Sequence, residues 1–189
     1  IEDIALMRSI PGMTVINPSD GVSAAKLIEE AAAIAGPVYV RLGRAAVPIL
    51  YSEDSDFQIG KAITLREGSD FTVIAAGIMV NEALLAAETL SQQGLSIRVL
   101  DMHTIKPIDE EAILKAASET KGIVTAEEHT VIGGLGSAVA EVTAKGHPVP
   151  MEFIGIKDVF GQSGKPDELL KAYNLTAEDI VFAVGKLKR

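Results

Sequence analysis

Residues 122–142 read GIVTAEEHTVIGGLGSAVAEV. An apolar run over 122–126 leads into Glu127, Glu128 and His129. Gly133, Gly134 and Gly136 follow, and then a run of small and apolar residues at helical spacing. A short apolar run bounded by polar and glycine residues predicts a buried strand, and the run after it predicts a helix. Functional groups would then stand at the carboxyl end of a strand, where open α/β sheets place their ligands.

The same alternation extends outward in both directions. Strands are predicted at 71–76, 97–101, 122–126 and 150–155, and helices at 81–93, 109–120, 134–145, 166–173 and 176–187. Thr176 followed three residues later by Asp179 has the form of a capping box at the start of the last helix. Strand and helix in regular alternation predict an α/β fold, a mostly parallel sheet with helices on both faces. Upstream, the pattern is a helix over 1–10 stopped by Pro11-Gly12, a strand at 13–16, a turn at 17–20 able to cap a helix over 21–35, and a strand at 38–42. A unit this small rarely buries enough surface to stand alone, so something should complete it. Residues 45–68 form a polar connector with a short strand near 58–65. The division expected is residues 1–60 and residues 61–189. The chain opens at a helix without Met, as a fragment or processed subunit would.

Composition narrows the function. The chain has 189 residues, 48% of them hydrophobic, a formal net charge of −9 and no Cys. Without Cys there is no disulfide, zinc–thiolate site or thiol nucleophile, and a reducing cytoplasm is the compartment expected. An acidic chain with 4% aromatic residues argues against nucleic acid as a partner. No apolar run approaches the ~18 residues of a membrane span, so no membrane partner is expected.

Several groups invite a chemical reading, each with a plainer one beside it. The glycine turn is not a dinucleotide fingerprint, because Val139 stands where a small residue is needed. It serves as an anion-holding helix start or as a tight packing turn. Glu127, Glu128 and His129 form an acid–base cluster or a solvated loop tip. His103 also follows a strand and could meet His129 at one sheet edge; His147, beside Pro148, is a surface residue. Arg44 lies past the carboxyl end of the 38–42 strand, where a guanidinium can grip a phosphate through two hydrogen bonds. Arg41 sits among apolar residues, as an ion pair would, and Arg8 lies near a helix end. The sequence contains no catalytic triad, P-loop, metal-ligand cluster or diphosphate–metal motif of the GDG…N kind.

Six segments together resemble the carboxyl-terminal half of the thiamine-diphosphate enzymes of the transketolase superfamily: IEDIALMRSIPGM (1–13), VINPSD (15–20), GPVYVRLGR (36–44), VLDMHTIKPID (99–109), TAEEHTVIGGLGSAVAE (125–141) and GIKDVFGQSG (155–164). The last three are most similar to the split, two-subunit transketolases. The resemblance implies that residues 1–60 are the end of a pyrimidine-binding α/β domain. Residues 61–189 would be a carboxyl-terminal, mostly parallel three-layer α/β domain that helps form a homodimer. The complete enzyme would use thiamine diphosphate and a divalent metal (Mg or Ca) to move a two-carbon ketol unit between sugar phosphates. The family's catalytic Glu and His lie upstream of Ile1, so the cofactor is not expected on this chain alone, and an amino-terminal subunit or domain is the partner implied.

By position, Arg44 matches the Arg that contacts the substrate phosphate. Arg8 matches the helix Arg that contacts the phosphorylated acceptor in 1-deoxyxylulose-5-phosphate synthases. Gly43 stands where the family often has Ser, and Ala45 replaces a Gln or Gly. Glu128, His129 and His103 would lie at an interface or site edge. The synthases just named and the β subunit of 2-oxo acid dehydrogenases are the alternatives within the superfamily. A non-catalytic dimerisation module is the alternative outside it.

Overall fold

The structure is a computed structural model that describes residues 1–44 and 46–188; Ala45 and Arg189 lie outside the described residues. Helix α1 (Asp3–Ser9), strand β1 (Thr14–Ile16), helix α2 (Gly21–Ala32) and strand β2 (Val38–Val40) come first. After the connector come β3 (Ile63–Arg66), β4 (Phe71–Ala75), α3 (Met79–Gln92), β5 (Ile97–Asp101) and β6 (Thr104–Lys106). The chain ends with α4 (Glu110–Glu119), β7 (Ile123–Thr130), α5 (Leu135–Gly146), β8 (Met151–Ile156), α6 (Pro166–Ala172) and α7 (Ala177–Leu187).

Five strands form the main sheet in the order β3-β5-β4-β7-β8. β4, β5, β7 and β8 run parallel, and β3 pairs antiparallel with β5 at the edge. The central strands are apolar on both faces because helices cover both. Val73, Ala75, Val99, Val124 and Ala126 join α3 and α7 in one core. Ile74, Ala76, Leu100 and Ile123 join α4 and α5 in the other. Successive residues pointing to opposite faces produce this division.

The chain winds outward from β4 in both directions, so the connections to either side of β4 lie on opposite faces and leave a crevice at its carboxyl end. That crevice is filled by the 17–20 turn. Gly77 N–H donates to Asn17 O at 3.3 Å, and Asn17 N–H donates to His103 O at 2.8 Å. Gly77 has φ +58°, and a Cβ there would stand 2.7 Å from Asn17 Oδ1, so only Gly fits.

The remaining sheet, β2-β1-β6, departs from the sequence reading. The sequence pattern assigns no element to residues 104–106, between the strand at 97–101 and the helix at 109–120. They instead form β6, which crosses to pair antiparallel with β1, because Ile105 finds burial there beside Val15. Lys106 Nζ then donates to Arg8 O and Ile10 O at 2.8 and 2.6 Å. That places a cation on the carbonyl end of α1. Among the described residues, no helix is long and apolar enough to cross a membrane.

Candidate functional site: the Arg44 cleft

β2 delivers the chain to Arg41, whose N–H continues the ladder to Ile16 O at 2.8 Å. The next three residues turn outward, and Arg44 is exposed. Among the described residues it makes no ion pair. It lines a cleft of about 410 Å³ whose walls include Val47, Ile78, Glu128, Gln162 and Tyr173. A neighbouring cleft of about 360 Å³ shares Gly43, Val47 and Ile78 and reaches Ser19 and Asp20. A free guanidinium in a largely apolar cleft is suited to gripping an anionic end of a small molecule.

Both ends of the 42–49 loop are pinned. At its start, Arg41 Nε donates to Asp3 Oδ2 at 3.1 Å and Nη1 to Glu128 Oε2 at 3.0 Å. The Tyr39 hydroxyl donates to the same Asp3 oxygen at 2.8 Å. Burial acts to raise the Asp3 pKa, but Tyr39 and Arg41 outweigh it and hold the carboxyl below its ordinary value. At the loop's far end, Asp20 caps α2 by accepting Ser23 N–H at 2.7 Å, and its other oxygen accepts Leu50 and Tyr51 N–H at 2.8 and 3.1 Å. These bonds overcome burial and lower the Asp20 pKa.

Other candidates are engaged elsewhere. Arg8 Nη1 donates to Gly133 O at 2.6 Å and Gly134 O at 3.3 Å, and Nη2 reaches both oxygens of Glu141 at 3.1 Å. Its guanidinium ties α1 to the glycine turn. Glu127, Glu128 and His129 are not a loop tip: β7 runs through them to Thr130. Glu127 is buried and accepts Leu135 and Gly136 N–H at 2.7 and 2.8 Å, which puts a carboxylate on the start of α5. A Cβ on Gly134 would lie 2.0 Å from Glu127 Oε2, so the glycine turn exists to let this carboxylate in. Burial pushes Glu127 up to about 7, against the pull of those two N–H groups.

His129 is fully buried, with its Nδ1 2.7 Å from Thr130 O. Its Nε2 accepts the Ala5 N–H of α1 at 3.3 Å, which fixes the neutral ring with its proton on Nδ1. Burial lowers its pKa. The two histidines belong to separate clusters. His103 packs edge-on to Phe57, ring centroids 5.5 Å apart, and burial lowers its pKa to about 4.

Sequence reading passed over Asp101. It is fully buried at the end of β5, and its Oδ2 accepts the hydroxyls of Ser19 and Tyr51 at 2.6 and 2.7 Å. Burial pushes its pKa up to about 6 despite those bonds. An acid closing the run VLD at 99–101, at the carboxyl end of a strand, was the available signal.

Two family models match, one after the other: "Transketolase, pyrimidine binding domain" over residues 1–49 and "Transketolase, C-terminal domain" over residues 60–180. The chain belongs to the transketolase family. It is 49% identical over 187 residues to the 6-deoxy-6-sulfo-D-fructose transketolase subunit SqwH of Clostridium sp. (strain MSTE9), covering 99% of this chain and 58% of that protein. It is 43% identical over 190 residues to the transketolase of Mus musculus, covering 99% of this chain and 30% of that protein. A solved structure described as "Split gene transketolase, inactive beta4 tetramer" superposes with a TM-score of 0.97 at 50% identity, over all of this chain and 63% of that one. The chain thus spans under two thirds of the length of these relatives. The transketolase family implies thiamine diphosphate and a divalent metal in the complete enzyme. Among the described residues no three His, Asp or Glu side chains converge as metal ligands. The described groups do not make up a metal–diphosphate site.

Proposed function

We propose that this chain is the carboxyl-terminal part of a transketolase that moves a two-carbon ketol unit between sugar phosphates. The observation that carries the reading is the succession of two transketolase domain matches along one chain. In the complete enzyme, thiamine diphosphate and a divalent cation (Mg or Ca) supply the carbanion chemistry from residues outside this sequence. This chain contributes Arg44, which holds the substrate phosphate by a charge-assisted, two-pronged contact. Arg8, the second phosphate contact that the resemblance implies, pairs with Glu141 and the glycine turn, and its hydrogen bonds hold α1 in place. The division read for the chain is residues 1–60 and residues 61–189, and the successive matches over 1–49 and 60–180 support it.

The partners are an amino-terminal transketolase subunit or domain and a second copy of this chain. The split-gene relative, described as an inactive tetramer, supports a chain that associates with itself and lacks activity when alone. Mixing the chain with an amino-terminal transketolase subunit and assaying ketol transfer from a phosphorylated ketose tests the reading. Transfer is expected only in the mixture. Thiamine diphosphate binding by the isolated chain in calorimetry would overturn it.

A further inference from the structure

Among the described residues, the cleft that Arg44 lines carries three carboxylates, Glu82, Glu128 and Asp167, against that single guanidinium. An anion would enter such a cleft only if those charges were occupied. Glu82 is: its Oε2 accepts Ala177 N–H at 2.8 Å at the start of α7. Asp167 lies in the first turn of α6, where backbone N–H groups favour a negative charge. Glu128 is the carboxylate at risk. It is partly exposed and lies on the wall of the cleft that Arg44 also lines.

Arg41 holds it. Its guanidinium, 17% exposed, spans Glu128 on β7 and Asp3 on α1, each within 3.1 Å. We propose that Arg41 is a positioning residue for substrate phosphate: by holding Glu128, it leaves Arg44 unpaired and removes the charge that would repel the incoming anion. The inference rests on the reading of Arg44 as the phosphate contact. It assigns a task to a neighbour three residues away that touches no substrate itself.

The test uses the complete enzyme, the chain paired with an amino-terminal transketolase subunit, and compares a phosphorylated ketose with an unphosphorylated ketol donor. Arg41→Gln is expected to raise KM for the phosphorylated donor roughly tenfold, with kcat and the KM of the unphosphorylated donor unchanged. Adding Glu128→Gln should restore most of that loss, because the released carboxylate is then gone. Arg41→Lys, which keeps the charge but not the two-pronged hold, should fall between the parent and Arg41→Gln. A purely structural role for Arg41 would lower activity with both donors, and Glu128→Gln would not rescue it; either result overturns the proposal. Should Arg41→Gln fail to fold, Glu128→Gln alone decides: KM unchanged or lower is expected, and a raised KM overturns the proposal. Arg44→Ala separates the two layers. If it leaves KM for the phosphorylated donor unchanged, the phosphate reading fails and the proposal with it. If it raises KM while Arg41→Gln does not, only the role of Arg41 fails.

Discussion

Two regions of this molecule lie where α/β proteins hold their ligands, and they have opposite characters. The crevice at the carboxyl end of β4 holds the perturbed carboxyl of Asp101, and the 17–20 turn, Gly77 and Asp101 fill it with protein. The Arg44 cleft, at the end of β2, is open, largely apolar and lined by one guanidinium. Perturbed pKa values often mark functional sites, yet here Asp101 and His129 mark ties between the two units and Glu127 marks the start of α5. The difference lies in partners. Asp101, Glu127 and His129 spend their hydrogen bonds inside the chain, whereas Arg44 makes no ion pair among the described residues.

This contrast can be broken by substitution, and the crevice should suffer most. Gly77→Ala places a Cβ against Asn17 at a positive φ, and a loss of about 3 kcal/mol in thermal or urea unfolding is expected. Full stability would mean that the turn does not seat there. Asp101→Asn keeps an oxygen for Ser19 and Tyr51 and removes the charge. With a pKa raised from 3.8 to about 6, the folded protein holds more protons than the unfolded between those values. The parent's stability from this group is therefore greatest below pH 3.8 and falls as pH rises through 6. Glu127 acts in the same sense, and His103 in the opposite sense, between 4 and 6.5. The Asp101 contribution is read as the difference between variant and parent. That difference should move in favour of the variant by about 3 kcal/mol between pH 3.5 and pH 7.5, and a constant difference would refute the buried charge.

Asp20→Ala removes a helix cap and the anchor of Leu50 and Tyr51, so a loss of about 1–2 kcal/mol is expected by melting. The same variant should weaken binding of the phosphorylated donor, because the far end of the Arg44 loop is released. Arg44→Ala is expected to change stability by less than about 0.5 kcal/mol while raising KM for a phosphorylated donor. A large change in melting would show that Arg44 belongs with the structural charges after all.

Much of this was legible in the sequence. The strand–helix alternation after residue 70 appears in the structure with ends shifted by a residue or two, except at β6 and at the carboxyl end of β7, which runs four residues further to Thr130. The family segments led to the right architecture. Two things were hidden for a physical reason. The pattern ends β7 at Ala126 because Glu127 and His129 look solvated, yet a helix start can take in a carboxylate and an N–H can satisfy an imidazole. β6 is three residues long and gains its strand character only from β1, nearly ninety residues earlier in the chain. Local pattern carries no trace of a distant neighbour. Within the candidate site, Arg44 was visible from its place after a strand. The pairing of Arg41 with Asp3 and Glu128 was not, since it joins three elements that are far apart in sequence.

The passage of β6 into the first sheet has a consequence for anyone treating the two units as interchangeable modules. A chimaera joined in the connector would import β6 along with the carboxyl-terminal unit, and that foreign strand would have to match the native β1 in register and in side-chain size. Nicking the backbone in the 52–56 stretch, by contrast, should leave two pieces that stay clasped together. The covalent link there is less important than the strand that the second piece has lent to the first.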